Sequence, residues 1–460
     1  MREWLSLFGP RTKGRFLVAL LLSSGLTLAD GWPAAELVGI GSALADDDDG
    51  GDDGDDDGDD HGGGRSDASD SGGRSLFRMF GNAPRAPRRA RSSVADLPIQ
   101  DPDGIGGSGF TALQLDQLSA AGFEIIERQA LSAVNTEVVK LRIPSSLALN
   151  AARELAATLA PQARIDFNHY YRPEQSPDLR CGTADCLART VIGWPAEQEG
   201  EGTCASEVGI GLVDTAVNAD HGVFAGSSIE TIRLADDTLP DSGQQHGTAV
   251  AALLVGATTS RTPGLVPGAT LIAVDPFYRA RRQDDRSEAY NLVRALDLLA
   301  EREVEVINLS LAGPANLLLE EAVRRVSERG IIIVAAVGNA GPRSDPSYPA
   351  AYEEVVAVTA IDRNKNPYRR AGRGQHIDLA APGVAVWTAA SVSGGRAKTG
   401  TSFAAPFVTA AAARMKGASP GLAPERIRDA LTRSAEDLGE PGKDPIFGWG
   451  LLNARTLCGA

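Results

Sequence analysis

Cysteine is scarce in this chain: four among 460 residues, at Cys181, Cys186, Cys204 and Cys458. Their spacings match no zinc pattern and no histidine lies beside them, which argues against a structural metal. Four cysteines fit an oxidising compartment and allow three pairings. Cys181 with Cys186 would close a short local loop, and Cys204 with Cys458 would tie together the two ends of the large C-terminal part. No folded stretch carries a basic stripe, so nothing points to nucleic acid as a partner. Beyond the N-terminus no apolar run is long and charge-free enough to span a bilayer. There is no internal repeat.

What is present begins with an export signal. Arg2, Arg11, Lys13 and Arg15 precede an apolar stretch, Phe16 to Ala29, that is short for a transmembrane helix. Ala43-Leu44-Ala45 supplies the favoured small-residue cleavage site, giving a signal over 1–45. Thr27-Leu28-Ala29 is the other candidate site, and an uncleaved anchor is the alternative reading. The protein is therefore expected to be exported, either periplasmic or secreted. The net charge of -15 is local: eleven aspartates sit between Asp46 and Asp60, and without them the chain carries only -4. The Asp/Gly and Arg/Pro composition that follows buries too little to offset chain entropy, so 46–106 is expected to be disordered.

Hydrophobic residues make up 43% of the chain, enough for a sizeable core and for more than one folded unit. Residues 107–173 read as a small α+β domain in the order α-β-β-α-β. The expected helices cover 110–121 and 148–159, the expected strands 123–126, 138–143 and 164–170. So small a domain is marginal by itself and draws on a partner surface. Residues 174–190 read as a linker. From 191 to 456, β-branched runs at 208–213, 271–274, 304–309, 331–337 and 355–360 alternate with helical stretches such as 288–302 and 317–328. That pattern predicts an α/β fold built on a parallel sheet.

In such sheets functional groups gather at the carboxyl ends of strands. Asp214 follows the strand 208–213. Asp275 ends the next strand and is the weaker candidate, because Asp275-Pro276-Phe277 reads as a turn. His246 opens a helix and is followed by Gly247, which suits a ring facing a cleft. Ser402, in Gly400-Thr401-Ser402-Phe403-Ala404-Ala405-Pro406, stands at the start of an Ala-rich helix, where the helix end favours developing negative charge. Asn339, after the strand 331–337, can donate an amide N–H to an oxyanion. Singly, each of these residues is commonly a cap or a turn. Together, in this order, they carry the chemistry of acyl transfer.

These blocks, Val213-Asp214-Thr215, His246-Gly247-Thr248, the Asn339 segment and the Ser402 segment, resemble the subtilisin-type serine proteases, the subtilases. The Asp, His, Ser order is the subtilisin order, and no G-x-S-x-G elbow is present because Ala404 replaces its second glycine. The resemblance covers about 190–456. It implies a subtilisin-like parallel sheet flanked by helices and a serine endopeptidase acting on polypeptides. In it Ser402 is the nucleophile, His246 the general base, Asp214 its orienting partner and Asn339 an oxyanion donor. Ser310, Leu311, Ala312 and Gly313 match the strand that binds substrate backbone. No organic cofactor or metal is required, and although calcium is common in the family no ligand set can be assigned. By the same resemblance, 107–173 stands where subtilases carry a propeptide that inhibits and assists folding, and a permanent accessory domain is the alternative. Ala216, Ala249 and Ala312 depart from the usual residues without removing a reacting group. A dead peptide-binding relative would lack a triad member, and none is missing; a ligase using the same acyl-enzyme stays open. A glutamate-base relative is opposed by His246 in its full motif.

Overall fold

The computed structural model describes residues 97–173, 187–195, 208–282, 284–455 and 457. The expected signal, the Asp/Gly run and all four cysteines lie outside them, as does most of the expected linker. Among the described residues no helix is long and apolar enough to cross a membrane.

The small domain starts earlier than its sequence suggests. It runs β1 (Gln100–Ser108), α1 (Ala112–Ala120), β2 (Glu124–Leu131), β3 (Thr136–Arg142), α2 (Leu149–Leu159) and β4 (Arg164–Pro173). Residues 100–106, expected to be disordered, thus form most of a strand, and the order is β-α-β-β-α-β. The segment Asp101-Pro102-Asp103-Gly104 has the composition of a turn, which hides it. Its strand is central, paired antiparallel with β3 on one side and β4 on the other. Pro102 falls in the register irregularity between Gln100 and Ile105, where a missing N–H costs least. The glycines answer to packing: a Cβ at Gly107 would overlap the Phe110 ring, and one at Gly106 would press on Leu318.

One face of this sheet packs on α1 and α2 through Ile105, Leu118, Val139, Leu141, Ala152 and Ala156. Leu131, Val134, Val138 and Tyr171 belong instead to the core of the larger part. The marginal domain therefore completes its burial on a neighbour, as its size requires.

The larger part continues with α3 (Leu187–Val191), β5 (Gly209–Val213), β6 (Ser228–Arg233), α4 (Gln244–Val255), β7 (Thr270–Asp275), β8 (Tyr278–Arg281) and β9 (Asp284–Glu288). Next come α5 (Ala289–Glu301), β10 (Val306–Leu309), β11 (Leu311–Ala312), α6 (Leu317–Glu328), β12 (Ile332–Ala336) and β13 (Val355–Ile361). It closes with β14 (Leu379–Pro382), β15 (Val386–Ala389), β16 (Gly395–Lys398), α7 (Ala405–Ala418) and α8 (Pro424–Ser434). Seven strands form one sheet in the order β14-β13-β12-β10-β5-β7-β6, parallel throughout. Both faces are covered, which is why the strands read as continuous apolar runs. Along β12, Ile332, Val334 and Ala336 enter the core shared with α4 and α7, while Ile333 and Ala335 enter the core shared with α5 and α6. The period of two assigns every residue to a side.

At the C-terminal side a buried carboxylate ties sheet to helix. Asp378, 1% exposed, accepts from Ala357 N at 3.0 Å and from the Arg428 guanidinium at 2.8 Å, with Lys443 Nζ at 3.4 Å. Breaking a buried pair from one side costs several kcal/mol. Asp378→Ala is expected to lower stability by about 3 kcal/mol, checked by denaturant unfolding in a Ser402→Ala background.

Candidate active site

Asp214 lies directly beyond β5, at the carboxyl end of the sheet, and its N–H is held by Val274 O at 3.2 Å. Its Oδ1 accepts from Thr215 N at 2.7 Å and lies 2.7 Å from His246 Nδ1. His246 is the third residue of α4. Both side chains are buried, at 1% exposure each. This contact fixes the tautomer: Nδ1 carries the hydrogen toward the carboxylate, and Nε2 presents its lone pair.

The threonine after the aspartate aligns the two elements. Thr215 Oγ1 accepts from Gly247 N at 3.0 Å, so the turn after β5 grips the first turn of α4. Gly247 is required by this approach, because a Cβ there would overlap the Thr215 carbonyl oxygen and crowd that of Ala216. The His-Gly-Thr signature is thus a packing statement as much as a chemical one.

Ser402 sits in a 3-10 turn, Thr401–Phe403, that leads into α7. It is held from β10 and the segment after it. Ser310 Oγ donates to Ser402 O at 2.9 Å, and Ser402 Oγ donates to Ser310 O at 3.3 Å. Asn308 Nδ2 donates to Ser310 Oγ, and Thr409 of α7 donates to Asn308 Oδ1. The rings of His246 and Phe403 lie 5.4 Å apart, which brings the imidazole beside the serine turn. The Asp214–His246 half of the constellation is therefore closed. The His246–Ser402 half is open, since His246 Nε2 has no hydrogen-bond partner. Such bonds commonly tighten only when substrate arrives.

Asn339 accepts through Oδ1 from Thr401 N at 3.0 Å and Thr401 Oγ1 at 3.2 Å. With the oxygen end turned to Thr401, the amide nitrogen faces the other way. Ser310–Gly313 follows β10; Leu311 and Ala312 pair antiparallel with Pro173 and Arg172 of β4, while Gly313 exchanges two backbone bonds with Tyr348. β4 pairs on its other side with β9, Tyr171 against Ser287 and Tyr170 against Glu288. The last residues of the small domain thus lie as a strand between two edges of the larger part.

Sequence reasoning passed over Thr215, Ser242, Asn308 and Thr401, whose roles are purely positional. The signal for two of them was adjacency, in Asp-Thr and Gly-Thr-Ser. Asp275 is a turn carboxylate: it accepts from Phe277 N at 2.9 Å and from Ser242 Oγ at 2.8 Å, and Ser242 Oγ in turn accepts from Ala216 N. Burial raises its pKa to about 7, against the bonds from Phe277 and Ser242 and the charge of Arg233; the charge of Asp214 adds to the rise. Among the described residues no group of three or more His, Cys, Asp or Glu side chains is placed to hold a metal ion.

The Subtilase family model, that of peptidase S8, matches residues 205–450. The chain belongs to the subtilase family. It is accordingly a serine endopeptidase, and its sheet is the subtilase sheet. It is 30% identical over 267 residues to subtilisin DY of Bacillus licheniformis, covering 56% of this chain and 93% of that one. Subtilisin BL of Lederbergia lenta is 33% identical over 259 residues, 55% of this chain and 92% of the relative. Thermitase of Thermoactinomyces vulgaris is 32% identical over 237 residues, 51% and 82%. Among solved structures, fervidolysin of Fervidobacterium pennivorans, a keratinolytic enzyme related to subtilisin, superposes with a TM-score of 0.66 at 20% identity. That match covers 79% of this chain and 61% of that one, and it speaks to the fold alone.

Gly247→Ala is expected to push α4 away from Thr215 and to lower kcat/KM by about 100-fold, measured on a peptide substrate. Asp275 gives a pH signature. Its folded pKa, about 7, stands above the ordinary value near 4, so from about pH 4 to 7 the folded chain keeps a proton that the unfolded chain has lost. Its contribution to stability therefore declines as pH rises through that window and levels off above it. Asp275→Asn is expected to flatten this decline, read as Tm against pH in a Ser402→Ala background.

Proposed function

We propose that this subtilase is a self-processing endopeptidase in which Asp214, His246 and Ser402 act as the triad. The observation that carries the reading is the buried Asp214–His246 contact of 2.7 Å beside the turn that bears Ser402. On this reading the Ser402 Oγ proton passes to His246 Nε2 as Oγ attacks the scissile carbonyl carbon. Asp214 stabilises the imidazolium without taking the proton. The carbonyl oxygen, now negative, is met by the Asn339 amide and the Ser402 N–H. The C–N bond breaks, His246 hands its proton to the leaving amine, and an acyl-enzyme remains. Water, deprotonated by the same nitrogen, attacks the ester carbonyl; the acid leaves and Ser402 regains its hydrogen.

Substrate backbone pairs with the edge Ser310–Gly313, as β4 does at Leu311 and Ala312. The same pairing supports a propeptide role for the small domain, because its own strand fills the edge that a substrate would take. The domain is then an intramolecular inhibitor, removed by a cut beyond Pro173. Export, by the N-terminal signal, would precede maturation, and the cysteines would pair in the oxidising compartment.

The test is to express wild type and Ser402→Ala in an exporting host and to read the intact mass and N-terminal sequence of each. Wild type is expected to lose the small domain by a cut beyond Pro173, and Ser402→Ala to retain it. Turnover of Ser402→Ala on a peptide is expected to fall by about a millionfold. Asn339→Ala should lose on the order of 3 kcal/mol of transition-state stabilisation. Equal processing of both chains would overturn self-cleavage, and undiminished hydrolysis by Asn339→Ala would remove it from the oxyanion role.

A further inference from the structure

The side chains at the end of β4 alternate as a strand must. Tyr171 turns into the core of the larger part and is fully buried, its hydroxyl donating to Pro314 O at 2.8 Å. Arg172 turns the other way, toward the β8–β9 hairpin. There its Nε donates to Asp284 Oδ1 at 2.7 Å, while an Nη2 hydrogen goes to Pro98 O. Asp284 opens β9 and is 3% exposed. Its other oxygen, Oδ2, has no hydrogen-bond partner; Arg286 Nη1 lies 3.8 Å from it. The neighbouring acid is already engaged, since Asp285 is held by Arg279 of the same hairpin. At the far end of β9, Glu288 meets Lys140 of the small domain. The face that β9 turns to the small domain thus carries two carboxylates, each met by a cation of that domain, with Arg286 between them lying over the Tyr170 ring at 3.9 Å.

We infer that Asp284 is a specificity-determining residue, selecting polypeptide substrates that carry Arg or Lys at the strand position Arg172 occupies, the one paired with Ala312. The inference rests on the endopeptidase reading above and on a substrate taking the place of β4 between β9 and β11. Asp284, 3% exposed with the small domain in place, loses its close partner when that domain departs and keeps only the 3.8 Å contact of its own hairpin. A substrate guanidinium or ammonium restores a charge-assisted bond, whereas Gln offers a neutral one and Glu adds repulsion. Backbone pairing to both edges is the same for all three, so the difference falls on Asp284.

The experiment uses the exported enzyme after it has processed itself and been separated from the small domain, and three peptides spanning residues 166–180, with Arg, Gln or Glu at position 172, cleavage being followed by mass spectrometry. Wild type is expected to favour Arg over Gln by about tenfold in kcat/KM, the equivalent of roughly 1.4 kcal/mol, with Glu the poorest. Asp284→Asn is expected to bring the Arg to Gln ratio near one, Asp284→Glu to keep part of it, and Asp284→Lys to favour the Glu peptide. Equal cleavage of the Arg and Gln peptides by wild type overturns the inference however the variants fold. A ratio that survives in Asp284→Asn overturns it as well. No cleavage of any peptide, with a substrate protein also left intact, overturns the endopeptidase reading itself and this inference with it.

Discussion

The arrangement of the candidate triad depends on one buried carboxylate. Asp214 ends a strand that is covered on both sides, and a charge there has to be matched by donors. Its Oδ1 is matched by Thr215 N and His246 Nδ1, and Thr215 passes the constraint on by holding Gly247 N. Strand and helix are thereby fixed to one another at the depth of a single hydrogen bond. The imidazole cannot turn without giving up its bond to the carboxylate, so the direction of Nε2 follows from what Nδ1 holds. Ser402 is positioned by a separate network running from Thr409 through Asn308 to Ser310. The two networks meet at the His246–Phe403 contact.

A second constraint acts at the rim. β9 and β11 are short edges of the larger part, and unpaired edges invite another strand. β4 lies between them, bonded to both. On the reading proposed here, a chain entering that gap gains main-chain hydrogen bonds whatever its sequence, as an endopeptidase acting on polypeptides requires. Discrimination is then left to the alternating side chains, one turned into the core as Tyr171 is and the next toward the hairpin as Arg172 is.

Much of this was legible in the sequence because the parallel sheet advertises itself. Runs such as Ile331 to Val337 are buried on both faces, so hydrophobicity alone marks them. The edges were illegible for the same reason. Asp284-Asp285-Arg286-Ser287-Glu288 has no apolar alternation and is a strand because β8 pairs with it on one side and Tyr170 and Tyr171 on the other. β1 was missed because its glycines and proline spell a turn, while its strand is dictated by two neighbours and by Phe110 and Leu318 pressing close. Asp214, His246 and Ser402 stood out as candidates through their motifs. Asn308 and Ser242 did not, since a side chain that only positions another carries no local pattern.

On the reading proposed here, one strand serves both as inhibitor and as a template for substrate, and the difference between these roles lies in the residues before it. A short peptide offers the edge little more than its backbone and two side chains. The small domain adds Leu131, Val134 and Val138 to a shared apolar core, Asp166 at the start of α6 through Leu317 N at 3.0 Å, and Asn316 Nδ2 bonded to Phe167 O. It also adds ion pairs of Arg164 with Glu321 and of Glu127 with Arg294. While the chain is intact, this surface is presented at the high effective concentration of a tether. A cut beyond Pro173 removes the tether but none of the contacts. Release then requires the whole face to separate, so inhibition outlasts cleavage. The cleft itself needs only modest affinity for any one sequence, which leaves a single carboxylate such as Asp284 able to tilt the choice among substrates.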